Sequence, residues 1–276
     1  MNIFRAALLA LLCSAPLAQA GAPARVVGLG GPITEIVYAL GAGERLVGAD
    51  ASSIYPPEAL KLPKVGYYRS FSIEGVASLK PDLVLASEDS GPPQALEQLR
   101  RLGSPVVVLP SAPNAQALEQ RIMGVARALD IEARGAALLQ KIQAELQAVQ
   151  PGAAKPRVLL ISSHTGKLQG AGDDTAAAAM LQLLGATNVL AGQRGYKPLS
   201  AEAAMALRPE VIVTGNMSVQ ASGGVEAFLA QPGLAATPAA KSRRVVVMDD
   251  LLLLGFGPRL PEALRQLQMG FTGKAR

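Results

Sequence analysis

The chain alternates short apolar runs with stretches of helical spacing. Arg25-Val26-Val27-Gly28-Leu29 is a β-branched run ending in glycines, and Ile33, Ile36, Val37 and Leu40 then recur at helical intervals until Gly41. Leu46-Val47-Gly48-Ala49 is a second strand candidate, and Leu83–Ala86 and Val106–Leu109 are further apolar runs bounded by Pro, Asp or Ser. Such alternation predicts a parallel α/β sheet. From Asn114 to Val149 the pattern is helical throughout. Leu118, Ile122, Val125 and Leu129 share one face, Leu138, Leu139, Ile142, Leu146 and Val149 another, and Pro151-Gly152 closes the segment. One helix over 131–149 would be about 28 Å long, enough to bridge two domains. Arg157–Ser162 restarts the α/β pattern, Val211–Thr214 and Val245–Met248 predict buried strands, and a helix near Pro261–Met269 closes the chain. The expected organisation is an N-terminal α/β lobe at 21–130, a linking helix at 131–150 and a C-terminal α/β lobe at 151–276.

An internal repeat supports two similar halves. The stretch from Ser72 to Leu85 returns 128 positions later as Ser200 to Val213. Ser, Glu, Leu and Pro are identical, the base and the acid keep their type, and an apolar triplet follows. In each copy Ser is a helix N-cap, Glu (Glu74, Glu202) falls in the first turn, and a strand follows the Pro.

The first residues read as an address. Arg5 supplies a positive charge, Ala6–Leu12 is unbroken apolar sequence, and Ala18-Gln19-Ala20 gives small-x-small cleavage chemistry, so residues 1–20 are expected to be a signal peptide cut after Ala20. The apolar run is too short to span a bilayer. The single cysteine, Cys13, lies inside this segment after Leu11-Leu12, so neither a lipid anchor nor a disulfide is expected in the mature chain. Its expected location is the periplasm, in soluble form. Across 276 residues, 50% are hydrophobic and 17% charged, which excludes a disordered chain. The net charge of +5 is scattered, with no basic run or aromatic-basic interleaving, so nucleic acid is not an expected partner.

Candidate chemistry is sparse. Gly28-Leu29-Gly30-Gly31 with Asp50 at the end of the next strand imitates a dinucleotide fingerprint, but Ile33 fills the third glycine position and Pro32 intrudes. A glycine-lined turn at the mouth of a cleft is the better reading. His164 is the only histidine, and no Gly-x-Ser-x-Gly elbow accompanies it, which argues against a serine hydrolase. One histidine and no mature cysteine leave too few ligands for zinc. The sharpest cluster is Val65-Gly66-Tyr67-Tyr68-Arg69-Ser70. It is either an apolar loop with a surface charge or a site where a phenolate, favoured by a neighbouring arginine, binds ferric iron. Tyrosinate is an established haem ligand.

With these motifs the chain resembles the periplasmic haem-binding proteins of bacterial haem ABC transporters, class III substrate-binding proteins related to vitamin B12 and siderophore binders. The resemblance rests on Gly28 to Asp50, on Gly66-Tyr67-x-Arg69 followed by Glu74-Gly75 and Leu79-Lys80-Pro81-Asp82, on Gly195 to Glu202, and on Leu254-Gly255-Phe256-Gly257-Pro258-Arg259. It implies two Rossmann-like lobes joined by one long helix, with haem between them, and no enzymatic activity. Tyr67 would be the axial iron ligand and Arg69 its phenolate-stabilising partner. The repeat pairs Tyr68 with Tyr196 and Arg69 with Lys197, so Tyr68 remains an alternative ligand. Tyr196, Arg259 and Lys197 would flank the porphyrin, and His164 would reach iron from the second lobe. Glu74 and Glu202 would dock a monomer onto the two subunits of an inner-membrane permease with its ATPase. The alternatives are a ferric siderophore or corrinoid in the same fold, or, in a different class, an exported two-domain enzyme.

Overall fold

The computed structural model describes residues 21–149, 155–163 and 168–273. The expected signal peptide and His164 lie outside the described residues. The first half contains β1 (Val26–Leu29), α1 (Gly31–Ala39), β2 (Leu46–Ala49), a hairpin of β3 (Gly66–Tyr67) and β4 (Ser70–Phe71), α2 (Ile73–Ser78), β5 (Leu83–Ser87), α3 (Pro93–Arg101), β6 (Val106–Leu109), α4 (Ala115–Ala128) and α5 (Glu132–Ala148). Its sheet has the order β2-β1-β5-β6, and every pairing is parallel.

The second half contains β7 (Arg157–Ser162), β8 (Gln169–Ala171), α6 (Ala176–Leu183), β9 (Thr187–Asn188), β10 (Tyr196–Pro198), α7 (Ala201–Ala206), β11 (Val211–Gly215), α8 (Asn216–Ala221), α9 (Val225–Leu229), α10 (Pro238–Lys241), β12 (Val245–Met248), α11 (Asp250–Leu254) and α12 (Leu260–Phe271). Its sheet runs β10-β8-β7-β11-β12, with β9 also on β7. Here the expectation of purely parallel strands fails: β8 runs antiparallel to β7, and β10 to β8. These two strands are three residues each and glycine-bearing or proline-bearing, so they leave little periodic signal. The two mixed α/β halves form two lobes, each built on its own sheet.

The helical stretch from Asn114 to Val149 divides into α4 and α5, and α5 falls within the single helix expected over 131–149. Asp130 turns left-handed (φ 58°), its N–H bonds the Arg127 carbonyl, and the Ile131 N–H bonds the Ala126 carbonyl. That pair of bonds is a Schellman stop. Asp stands where glycine usually does. α5 is 17 residues, about 25 Å long, and it packs against both α4 and α12.

Strand alternation sends the side chains into separate cores. Val26, Leu83 and Leu85 from the first sheet, and Val158, Leu160, Val211, Val213 and Met248 from the second, enter one continuous cluster with α1, α4 and α12. Val27, Leu29, Val84 and Ala86 face a second cluster under α2 and α3. Leu159, Ile161 and Ile212 face a third around Phe228. Both faces of each sheet are therefore covered, as parallel strands require, and one core is shared by both lobes.

The repeat is structural as well as sequential. The Ser72 and Ser200 hydroxyls cap α2 and α7 by accepting from the Gly75 and Ala203 N–H groups at 2.9 and 3.2 Å. Such caps contribute about 1 kcal/mol each. Lys80 and Arg208 leave their helices at the same positive φ, 46°. Arg25 and Arg157 then donate to the Leu79 and Leu207 carbonyls at 2.6 and 2.8 Å, while Asp82 and Glu210 accept from the Arg25 and Arg157 N–H groups, both at 3.0 Å. Each helix-strand unit is thus stitched to the opening strand of its own lobe by equivalent bonds.

Candidate functional site

The C-terminal edge of the first sheet is built around one carboxylate. Asp50 follows β2 and is fully buried. It accepts five hydrogen bonds: from the Gly30 N–H (2.9 Å), the Ser53 hydroxyl (2.9 Å), the Ser52 N–H (2.8 Å) and hydroxyl (2.6 Å), and the Tyr68 N–H (3.2 Å). A buried carboxylate is tolerable only when its lone pairs are filled in this way. Gly30 reaches it through a φ of 124°, a conformation that side chains rarely adopt. The pairing that imitated a dinucleotide fingerprint is therefore an internal tie, with Asp50 occupied by protein donors.

That tie fixes the tyrosine hairpin. Tyr67 pairs with Ser70, leaving Tyr68 and Arg69 as the two turn residues. The Tyr68 N–H is held by Asp50, and its carbonyl accepts from the Gly91 N–H at 3.1 Å. The Gly66 carbonyl accepts from the Ala51 N–H at 2.7 Å. With the backbone pinned on both sides, Tyr67 projects outward and is 47% exposed. Tyr68 is only half-buried, and its ring meets that of Tyr67 edge-on, with centroids 4.6 Å apart. Arg69 does not bond Tyr67 in this arrangement. Its Nε donates to the Tyr68 hydroxyl at 3.0 Å, and its far nitrogen pairs with Asp89 at 3.3 Å. Burial, reinforced by the Tyr67 side chain, pushes the Tyr68 phenol up to about 12. Tyr68 therefore remains a neutral phenol at physiological pH, while Tyr67 is the accessible oxygen.

On the second lobe, Tyr196 opens β10 beside a small pocket lined by Ile161, Ser162, Gly215, Ser218, Asp250 and Leu254. Tyr196 is 43% exposed, and burial of the rest of its side chain pushes its phenol up to about 12. Met217, at the start of α8, is 54% exposed. Its N–H donates to Asp250 at 2.8 Å. Lys197 is exposed next to Tyr196. The two sheet edges converge at α1 and α11: a Cβ on Gly31 would lie 2.7 Å from the Leu251 side chain, and one on Gly255 would lie 3.3 Å from Pro32.

Arg259 has a different setting from the free rim cation expected of it. Its side chain forks onto Glu35 of α1, with Nε to one carboxylate oxygen at 3.2 Å and the terminal nitrogen to the other at 3.1 Å. Its guanidinium also lies 3.5 Å from the centre of the Tyr55 ring. Beside it, the buried Arg121 of α4 donates to the Phe256 carbonyl at 2.7 Å. These contacts join the lobes. Burial raises the Glu35 carboxyl above its ordinary value despite Arg259, and burial also lowers Arg121 to about 10. The sequence carried a signal for both. Glu35 interrupts the run Ile33-Thr34-Glu35-Ile36-Val37, and Arg121 falls on the apolar face of α4 between Leu118 and Ile122.

Glu74 and Glu202 occupy equivalent exposed positions in the first turns of α2 and α7. The Glu202 carboxyl is held below its ordinary value by backbone N–H donation and by Ser200, so it is ionised at neutral pH. Both acids complement the helix N-terminus, which leaves their outer oxygens facing solvent.

If Asp50 sets the hairpin, Asp50→Asn should destabilise the protein by about 2–4 kcal/mol in urea titrations, since it leaves buried donors unmatched. Hydrogen exchange at the Tyr68 and Gly30 amides should accelerate more than at β5. A Tyr68 amide as protected as before would show that the hairpin is held by something else.

A family model described as "Periplasmic binding protein" matches residues 26–252. The chain is 32% identical over 255 residues to an uncharacterised ABC transporter substrate-binding lipoprotein, YvrC of Bacillus subtilis, covering 89% of this chain and 79% of that one. It is 31% identical over 262 residues to the vitamin B12-binding protein of Pectobacterium carotovorum, covering 93% and 90%. Among solved structures it is similar to the periplasmic heme-binding protein BhuT in complex with two hemes, with 44% identity, a TM-score of 0.86, and 92% and 99% of the two chains covered.

Proposed function

The chain belongs to the periplasmic binding protein family, and from that premise we propose that it captures haem between its lobes and hands it to an inner-membrane ABC importer. Substrate binding for an ABC transporter, without catalysis, is the common property of this family. The assignment of haem is carried by one observation above the others: an exposed Tyr67 on a hairpin whose backbone is pinned on both sides, at the edge where the two lobes converge. A phenolate suits ferric iron, and a fixed hairpin presents it without an ordering cost. The likeness to BhuT supports the same reading. The likeness to a vitamin B12-binding protein supports a second one, a corrinoid in the same place.

In the haem reading, the exposed rings of Tyr67, Tyr55 and Tyr196 and the thioether of Met217 offer apolar contact to the porphyrin faces. Lys197 is the cation available to propionates, since Arg69 is engaged by Tyr68 and Asp89. Arg259 contributes by closing the lobe junction through Glu35, with its stacked ring Tyr55 facing the ligand. His164 enters as the second candidate ligand to iron. Export follows a signal peptide cut after Ala20, and the lobes comprise 21–130 and 151–276, linked through 131–150.

Haemin added to the purified protein should give the charge-transfer absorption of tyrosinate-bound ferric haem, and Tyr67→Ala should remove it without unfolding the chain. Cobalamin should neither bind nor compete. A protein that binds cobalamin and leaves haemin free would replace this reading with the corrinoid one.

Docking is assigned to Glu74 and Glu202, one acid per lobe meeting one permease subunit each. Changing both to Ala should stop haem uptake into vesicles reconstituted with the importer while haemin affinity stays the same. Uptake at the wild-type rate would reduce both residues to helix capping.

A further inference from the structure

The tyrosine hairpin holds a group that the haem reading leaves unused. Tyr68 is the neighbour of the proposed iron ligand, yet it is Tyr68, and not Tyr67, that receives the Arg69 hydrogen bond. The guanidinium has little freedom left to reach further. Nε donates to the Tyr68 hydroxyl at 3.0 Å, a terminal nitrogen pairs with Asp89 at 3.3 Å, and the guanidinium carbon lies 5.3 Å from the Tyr68 ring centre.

A phenol has one O–H to donate and lone pairs to accept with. Arg69 takes a lone pair, so the Tyr68 proton is free to point elsewhere. The side chain packed against Tyr68 is Tyr67, whose ring meets it edge-on at 4.6 Å between centroids. The Tyr68 backbone is fixed by Asp50 and Gly91, and its hydroxyl oxygen is held by Arg69.

We propose that Tyr68 and Arg69 form a hydrogen-bond relay onto the Tyr67 oxygen, in which Arg69 orients Tyr68 and Tyr68 donates its proton to Tyr67. The inference rests on Tyr67 being the haem ligand and adds that arginine acts on that ligand at second hand. Tyr68 and Arg69 are positioning residues. Bonds to a charged acceptor are stronger than neutral ones, so the relay strengthens when Tyr67 binds iron as phenolate. It also draws electron density from the phenolate.

The test is a cycle of Tyr68→Phe, Arg69→Met and the double variant, each loaded with haemin. Two quantities are read: the phenolate-to-iron charge-transfer band and the rate of haem loss to a scavenging apoprotein. Tyr68→Phe keeps the ring and removes only the donor. It should move the band to longer wavelength and speed haem loss about tenfold or more. Arg69→Met should act in the same direction in the wild type and add nothing once Tyr68 is Phe. Arg69→Lys, which keeps the charge without the guanidinium fork, should restore only part of the band position.

Independent, multiplying effects of the two changes would place Arg69 directly on Tyr67 and overturn the relay. So would a Tyr68→Phe protein with unchanged band and loss rate. The haem reading fails by a different sign: wild type lacking the tyrosinate band, or Tyr67→Phe retaining it, removes the ligand assignment and the relay with it.

Discussion

The C-terminal edge of the first sheet depends on a single buried carboxylate. Asp50 has no solvent contact, and its five donors come from the turn after β1, from the loop after β2 and from the tyrosine hairpin. Desolvating an unpaired carboxylate would cost several kcal/mol, so the three segments are obliged to converge on it. Their convergence determines where Tyr67 stands and which way Tyr68 and Arg69 turn. The exposed side chains at the edge are thus placed by a fully buried interaction beneath them.

The two lobes are tied at a comparable depth. Their cores are continuous through α1, α4, α12 and the inner faces of both sheets. Two guanidinium groups add polar ties, Arg259 to Glu35 and Arg121 to the Phe256 carbonyl. Pulling the lobes apart would expose apolar surface and leave Glu35 buried without its cation. The fold therefore favours a nearly fixed separation between the lobes. The matched helix-strand units add symmetry: two short capped helices, each stitched to its lobe by an arginine and an acid, present Glu74 and Glu202 in equivalent settings.

Much of this was legible in the sequence. The bounds of β2, β6, β7 and β12 follow from short apolar runs, and the repeat from Ser72 marks the duplicated unit. The glycine turn at Gly30 is likewise a turn. The break at Asp130 showed as a change of apolar face between Leu129 and Leu138, although a Schellman cap made with Asp carries no glycine signal. β8 and β10 were hidden by their length. The site divides in the same way. Tyr67 and Arg69 stand out by residue type, but the ties around them do not, since hydrogen bonds from the Tyr68 N–H to Asp50 and from Arg259 to Glu35 span 18 and 224 positions. Only an acid placed inside an apolar run, as at Glu35, hints at such a tie.

The most direct measurement is a crystal structure of the haemin-loaded protein with anomalous data collected at the iron edge. The account predicts an iron peak between the two lobes, bonded to the Tyr67 oxygen, with the Asp50 to Tyr68 bond intact. An iron peak bonded to Tyr68, or one lying outside the space between the lobes, would contradict it.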